Sequence, residues 1–450
     1  MNDKLVKLEI TDLAFDGKAV AHMDGKVVFL KGGLPGETVM ARITRSKPRY
    51  DQGIVTEILT KAPERIDAPC SHVDHCGGCT WQDLRYDSQL AYKKKQVDDC
   101  LERLGKLPDV DVRDVIGSVE LFSYRNKMEF SFNVTEDGFT LGLHERGHFD
   151  RIFDLKSCHL QSDDADRIVH WMRDFVAEEK IPVYDVLNHT GYMRFLMIRQ
   201  PKHTSQLMVN VVTNYGDFPA REKLIKGLTQ DVPAVTTIVH NQNGQKSNIA
   251  TGEIEKVLLG SGYIEERLFD STFRIRANSF FQTNSIQTET LYRTAFDLLH
   301  PKESDRVMDL YCGTGSIGIL ISPYVTEVVG VELVTDAVEA ARENARANHI
   351  DNITFFEGDV KEYLKTEPQE RERFNIVIVD PPRAGLNPKA LKRLLPMRPE
   401  KILYISCNPA TFARDAQQIV QAGYELPLVQ PVDMFPHTLH IELTAVFHRT

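Results

Sequence analysis

Two short stretches near the carboxyl end carry the residue types needed for covalent chemistry at a carbon centre. Ser406-Cys407-Asn408-Pro409 closes an apolar run, 402–406, that reads as a buried strand. Pro409 stops that strand and leaves the Cys407 thiol at its end, beside an asparagine amide. A lone cysteine is ordinarily a small buried hydrophobe, but a thiol at the lip of a ligand crevice can act as a nucleophile. Further along, Pro436-His437-Thr438-Leu439-His440-Ile441-Glu442 supplies a carboxylate where the last strands should return beside Cys407. Burial there would raise its basicity. A thiolate that adds at carbon 6 of a pyrimidine turns the ring into an enolate and makes carbon 5 nucleophilic. A base must then remove the carbon-5 proton before the sulfur can leave. Cys407 and Glu442 are the candidates for these two roles.

Upstream, Asp309-Leu310-Tyr311-Cys312-Gly313-Thr314-Gly315-Ser316-Ile317-Gly318 ends one strand and opens a helix. Its glycines allow a tight turn and a close approach of a cofactor to the backbone. Glu332 ends the next strand about 20 residues on, where a carboxylate meets ribose hydroxyls. Gly313, Gly315 and Gly318 also satisfy the dinucleotide fingerprint, so this turn leaves S-adenosylmethionine and a dinucleotide both open. Asp359, in Glu357-Gly358-Asp359, favours S-adenosylmethionine because a carboxylate there can meet the adenine amino group. Asp380, in Asp380-Pro381-Pro382-Arg383, closes a fourth strand at the same edge. Four loops therefore converge on one crevice at the carboxyl ends of the strands.

A second chemical cluster lies far from these. Cys70-x5-Cys76-x2-Cys79 occupies a short connector, and Cys158 is a fourth candidate downstream. Gly77 and Gly78 would let backbone amides wrap a cluster. Four thiolates hold tetrahedral zinc equally well, and His72, His75 and His159 add alternative zinc ligands. Spacing leaves iron–sulfur and zinc open. Cys100 and Cys312 are assigned to packing.

The elements that must position these groups follow from pattern. At 450 residues the chain exceeds one ordinary core, and its 42% hydrophobic and 26% charged residues are ordinary globular values. Residues 1–60 read as a five-stranded barrel of the oligonucleotide-binding type, punctuated at Asp16-Gly17, Asp24-Gly25 and Gly32-Gly33. Residues 61–275 read as a mixed α/β region with strands at 127–133, 206–212 and 236–240 and a helix at 165–178. Residues 276–450 begin with a helix at 285–299. Strands at 306–310, 327–331, 353–357, 375–379 and 402–406 follow, alternating with helices as in a doubly wound parallel sheet. No charged segment leading into an apolar core opens the chain, and no apolar run nears the roughly 18 residues of a membrane span. The expectation is a cytoplasmic protein, monomeric by default. A net charge of −10 argues mildly against nucleic acid, but a phosphate backbone needs only local positive surface. Arg42, Arg45, Lys47 and Arg49 form one candidate patch, Lys93 to Lys95 a second, and Arg194, Arg199 and Lys202 a third.

With these motifs the sequence resembles the RNA uracil-C5 methyltransferases, in particular the 23S ribosomal RNA branch with an N-terminal TRAM barrel. The matching stretches are Phe281-Gln282-Thr283-Asn284, the turn from Asp309, Asp380-Pro381-Pro382-Arg383, Ser406-Cys407-Asn408-Pro409 and the His-x-Glu ending at Glu442. The resemblance implies a class I methyltransferase domain of Rossmann-like fold at the carboxyl end. It implies Cys407 as nucleophile, Glu442 as proton acceptor, and Gln282, Tyr311, Glu332 and Asp380 as S-adenosylmethionine contacts, joined by Ser316 and Asp359. Some relatives carry Asn where Ser316 stands. The resemblance also implies a [4Fe-4S] cluster on Cys70, Cys76, Cys79 and Cys158. Phe280 would be a platform for a splayed base, since carbons 5 and 6 of a stacked pyrimidine are out of reach. Tyr124-Arg125-Asn126-Lys127 and Arg194 would meet RNA phosphates. Competing classes are an iron–sulfur, dinucleotide-dependent oxidoreductase, an RNA-binding protein with an idle catalytic domain, an amino-group methyltransferase, and the same methyl transfer acting on tRNA.

Overall fold

The computed structural model describes residues 4–15, 17–365 and 373–450. Asp16, half of the first expected turn, lies outside these. The amino-terminal strands Leu5–Leu13, Ala19–Met23, Lys26–Lys31, Thr38–Ser46 and Tyr50–Thr60 close into a five-stranded barrel. Alternation drives it: Leu8, Ile10, Val28, Leu30, Val39 and Ala41 point inward and are buried. The Ala19–Met23 strand carried only a weak strand signature in sequence, with Val20 its one β-branched residue, because small residues, Ala19 and Ala21, fill its inner face. Barrel and connector are fastened through buried Glu37, which accepts from Leu34 N at 2.8 Å and from Arg65 Nη2 at 3.0 Å.

The connector carries the cysteine loop and then the helix Tyr86–Cys100. Its continuation, Asp111–Val112, pairs in parallel with Leu428–Val432 and so joins the carboxyl-terminal sheet. Val97, Cys100 and Leu101 pack into that sheet's core. A seven-stranded sheet follows, with helices Asp163–Glu178 and Arg221–Asp231 contributing to one core with it. Ser162 caps the first of these helices, accepting from Ala165 N at 3.2 Å. The hairpin of Tyr263–Leu268 and Ser271–Arg276 packs Ile264, Leu268, Phe273 and Ile275 against Leu291 and Val307 of the last domain.

The carboxyl-terminal sheet runs, in spatial order, Ile353–Glu357, Glu327–Glu332, Arg306–Leu310, Ile376–Val379, Lys401–Ser406, Glu442–Arg449, Leu428–Val432 and Asp111–Val112. Its first five strands are parallel, as the alternating pattern predicts, and Glu442–Arg449 returns antiparallel beside Lys401–Ser406. Continuous Val and Ile runs buried on both faces are the signature of such a sheet. Asn284 caps the leading helix Ser285–Leu299, its Oδ1 accepting from Gln287 N at 3.1 Å. Among the described residues no helix is long and apolar enough to cross a membrane.

Three cations expected on the surface are inside the protein. Lys93 is fully buried in an ion pair with Asp433 at 2.7 Å. Arg194 donates from Nη1 to Asn243 O and Gln245 O at 2.6 and 2.7 Å, and from Nη2 to Ser247 O at 2.7 Å. Arg199 grips Ala277 O at 3.2 Å, and burial among carbonyls pulls its guanidinium down to about 10. Tyr124 and Asn126 are likewise buried, which removes them from the phosphate-contact set. Arg42, Arg45 and Arg49 of the barrel remain exposed.

Candidate active site

The site is assembled where parallel strands end. Tyr311 follows Arg306–Leu310, Glu332 ends its strand, Asp380 follows Ile376–Val379, and Cys407 follows Lys401–Ser406. Cys407 sits just before Asn408, whose side chain caps the helix Pro409–Gln421 by accepting from Ala410 N at 3.1 Å. Asn408 Nδ2 also donates to Arg383 O at 2.9 Å, tying the Cys407 turn to the Asp380-Pro381-Pro382-Arg383 turn. That second turn is held from behind by Asp415, which accepts from Leu386 N and from Tyr404 Oη, each at 2.8 Å. Strand end, proline and cap thus fix where each chemical group emerges.

Electrostatics define the pocket. Burial, then the charges of Glu442 and Asp380, push the Cys407 thiol up to about 11, while Arg383 pulls the other way. Burial, reinforced by Asp380, drives Glu442 well above the ordinary carboxyl range. Burial lifts Asp380 to about 7, and burial with Asp380 nearby lifts Asp309 to about 8. Arg383 is the cation acting on both Cys407 and Glu442, and its Nη2 lies 3.4 Å from either ring nitrogen of His440. His440 is pulled down to about 4, by burial first and then by Arg383, so it stays neutral at pH 7.

The Asp309 turn is shaped to receive a ligand. Gly313 has φ +54°, and no atom lies within 4 Å of where a β-carbon would stand. Gly315, at φ +77°, has Phe355 only 2.7 Å from that point, so its lack of a side chain serves packing. Asp309 Oδ2 accepts from Gly318 N at 3.1 Å, and its other oxygen, buried, has no partner among the described residues. An open glycine beside an orphaned buried oxygen fits a bound small molecule. Glu332 Oε2 accepts from Gly313 N at 3.1 Å, and Oε1 from Leu333 N and Val334 N at 2.7 and 2.9 Å. Ser316 Oγ lies 3.4 Å from the hydroxyl of Tyr292. Asp359 is turned partly inward on its own helix, accepting from Lys361 N at 2.9 Å and Lys361 Nζ at 2.8 Å. Gln282 is held through its backbone, Gln282 O accepting from Asn126 Nδ2 at 2.8 Å, and Phe280 beside it is 67% exposed.

Tyr292 and Arg383 enter this site without a role assigned from sequence. Tyr292 is buried on Ser285–Leu299, close enough to Asp380, Asp309 and Glu442 for their charges to act on its hydroxyl. A tyrosine at a core position of an amphipathic helix carries no signal that separates it from packing. Arg383 was visible only as part of a matched motif.

The cysteines gather elsewhere. Cys70, Cys76, Cys79 and Cys158 line one cavity of about 760 Å³, together with Arg125, Lys127 and Thr283. Backbone amides of His72 and Gly78 donate to the sulfurs of Cys70 and Cys76 at 3.4 and 3.3 Å, and Gln82 Nε2 to that of Cys79 at 3.2 Å. Arg146 clamps the loop through Cys79 O at 2.7 Å and Val73 O at 3.1 Å. His72 Nε2 accepts from Lys156 N at 3.1 Å, so that nitrogen is engaged. Among the described residues no three His, Cys, Asp or Glu side chains converge closely enough for one metal ion.

Comparison with known proteins identifies the family. The model of the tRNA (Uracil-5-)-methyltransferase family matches residues 222–450, and that of the TRAM domain matches residues 3–56. A Halalkalibacterium halodurans protein described as an uncharacterized RNA methyltransferase is 39% identical over 443 residues, 98% of this chain and 96% of its own. One from Chlorobaculum tepidum, described in the same words, is 39% identical over 467 residues, 99% of this chain and 96% of its own. Among solved structures, Pyrococcus abyssi tRNA (uracil-54, C5)-methyltransferase in complex with S-adenosyl-L-homocysteine superposes with a TM-score of 0.79. It is 31% identical, covering 98% of this chain and 100% of that one. The fold and the family match are those of an RNA methyltransferase acting on uracil, with a TRAM barrel at the amino end. The chain belongs to the tRNA (uracil-5-)-methyltransferase family. Membership resolves the choice at the Gly313 to Gly318 turn against the dinucleotide oxidoreductase.

Proposed function

We propose that this protein methylates carbon 5 of a uridine in 23S ribosomal RNA, through a covalent adduct on Cys407 that Glu442 resolves. The observation that carries this reading is the shared position of thiol and carboxylate at the open edge of the sheet, on the two strands that follow the Asp380 strand in spatial order. When bound, S-adenosylmethionine supplies an electrophilic methyl group. Gln282, Tyr311, Ser316, Glu332, Asp359 and Asp380 would hold that donor, with Gly313 leaving room for it. With its thiol proton first released to solvent, Cys407 Sγ would bond to carbon 6 of the uracil, and the electron pair displaced toward carbon 5 would take up the methyl group. Glu442 then accepts the carbon-5 proton, the ring double bond re-forms, and the Cys407 thiolate leaves. Arg383 opposes the pile-up of negative charge between Asp380, Glu442 and the thiolate.

Exposed Phe280 offers a stacking face for a base turned out of the RNA, and Arg42, Arg45 and Arg49 of the barrel give the backbone grip. The protein acts as a cytoplasmic monomer in this reading. Cys70, Cys76, Cys79 and Cys158 would hold a [4Fe-4S] cluster, whose role is structural, clamping the connector to the central sheet. A cluster is larger than one ion, so it suits four sulfurs spread around a cavity, and amide donors to sulfur suit it too. Zinc would need the sulfurs drawn to a point. Iron and acid-labile sulfide in equal amounts, lost together in Cys158→Ser, are the expected assay result.

A second reading, transfer RNA as substrate, is favoured by the activity of the archaeal protein it resembles. The ribosomal target rests on the resemblance of the motifs to the 23S branch; the barrel does not separate the two readings, since the archaeal structure covers 98% of this chain. Mapping 5-methyluridine at nucleotide resolution in 23S and transfer RNA, from cells with and without the protein, decides between them. Loss of the modification from transfer RNA alone overturns the ribosomal assignment.

A further inference from the structure

Glu442 is the first residue of its strand and pairs with Val432, while pairing to the Lys401–Ser406 strand begins only at Leu443, so the approach between Val432 and Glu442, residues 433–441, is left to be held by something else. What holds it comes largely from the connector and the start of the central region. Asp433 receives Lys93 Nζ at 2.7 Å and Tyr86 Oη at 2.9 Å. Phe435 O accepts from Lys93 Nζ at 3.1 Å, and Pro436 O from Tyr124 Oη at 3.2 Å. His437 O accepts from Thr80 N and Trp81 N at 2.8 and 3.0 Å. His437 N donates to Gln89 Oε1 at 2.9 Å, and the amide of Gln89 also reaches Trp81 O and Leu84 O at 2.9 and 2.8 Å. The catalytic domain contributes Asn284 Nδ2, which donates to Met434 O at 3.1 Å.

His437 adopts φ 65°, a conformation an L-residue holds only under constraint, and its ring stacks on Phe122 at 4.4 Å. Gln89 is fully buried and ties both sides of this junction, the Trp81 turn and the His437 backbone. A side chain with this bonding has one orientation, and it transmits that orientation to the segment entering Glu442.

We propose that Gln89 and Tyr124, more than 300 residues before it in sequence, are positioning residues for the Glu442 carboxylate, setting the approach segment so that the base reaches the carbon-5 proton of the adduct. The inference rests on the covalent mechanism above. Neither residue lies on the strand that bears Cys407, so the two halves of the reaction depend on different parts of the fold. Loosening the segment should slow resolution of the adduct and spare its formation. A displacement of order 1 Å can cost a factor of about 100 in a positioned proton transfer.

Tyr124→Phe and Gln89→Met test this in the full-length protein, with two readouts on the same RNA sequence. Substrate carrying 5-fluorouridine reports thiol addition and methyl transfer, because the carbon-5 fluorine cannot be removed by a base. Ordinary uridine substrate reports complete turnover. Expected is adduct formation within about two-fold of wild type, turnover lowered roughly ten-fold or more, and methylated RNA–protein adduct persisting on ordinary substrate. Equal loss of both rates, or wild-type turnover in the folded variants, overturns the inference. If Gln89→Met does not fold, the Tyr124→Phe rates decide alone, since that change deletes a single hydroxyl. No adduct with the wild-type protein overturns the covalent mechanism itself, and this inference with it.

Discussion

Ser406 pairs with Leu443 at the last rung between the Lys401–Ser406 and Glu442–Arg449 strands, and Cys407 and Glu442 are the next residues beyond that rung, close enough for the Glu442 charge to act on the thiol. Thiol and carboxylate are therefore neighbours by virtue of strand register. Burial first, and then the Glu442 charge, raise the cost of ionising the Cys407 thiol.

This pairing separates two variants. Cys407→Ala should form no adduct with 5-fluorouridine RNA and give no methylated product. Glu442→Gln should form the adduct and transfer the methyl group but turn over about 10²–10⁴-fold more slowly, the span expected for a lost general base. Denaturing gels of protein incubated with labelled RNA read both outcomes. An adduct on Cys407→Ala would remove this thiol from the mechanism.

Stability should fall as pH rises. Burial holds Asp309 up to about 8, whereas an unfolded aspartate titrates near 3.9. Between those values the folded chain holds a proton the unfolded chain has released. The stability present below the unfolded value is thus lost progressively as pH climbs toward 8, by about 1.4 kcal/mol per pH unit for this group. Asp380 and Glu442 act in the same direction. Denaturant unfolding of the ligand-free protein at pH 5 and pH 7.5 should show the decline, and Asp309→Asn should make it shallower. An unchanged slope would mean Asp309 is ionised in the fold.

The two glycines of the cofactor turn should respond differently. Gly315→Ala forces a β-carbon toward Phe355 at a left-handed φ and should cost roughly 1–3 kcal/mol of stability. Gly313→Ala meets no protein atom, so it should cost about 1 kcal/mol in backbone strain while weakening adenosylhomocysteine binding. Unfolding curves beside calorimetric titration separate stability from affinity. Unaltered ligand affinity in Gly313→Ala would place the ligand elsewhere.

Lys93→Met strands Asp433 in a dry interior. Breaking one side of a buried pair typically costs about 3–5 kcal/mol, and the effect should be partly recovered by adding Asp433→Asn. A double-mutant cycle from urea unfolding measures the coupling. Additive losses would show that the two charges act independently.

Much of this protein is determined by local pattern. The alternation of apolar runs with helical stretches specifies the parallel sheet, and residues at strand ends fall on its ligand edge whatever their packing partners. Cys407, Asp380, Glu332 and the Asp309 turn were legible for that reason: each sits at a boundary that proline, glycine or periodicity marks. What sequence could not determine is which charges go inside. Lys93 reads as one of three consecutive surface lysines until Asp433, 340 residues away, is folded against it. Arg194 and Arg199 read as phosphate contacts until backbone carbonyls close around them. The cost of burying a charge depends on the partner that meets it, and partners distant in the chain are set by tertiary packing alone. The burial of Tyr292 among carboxylates and the hold of Gln89 on the approach to Glu442 were decided at that level.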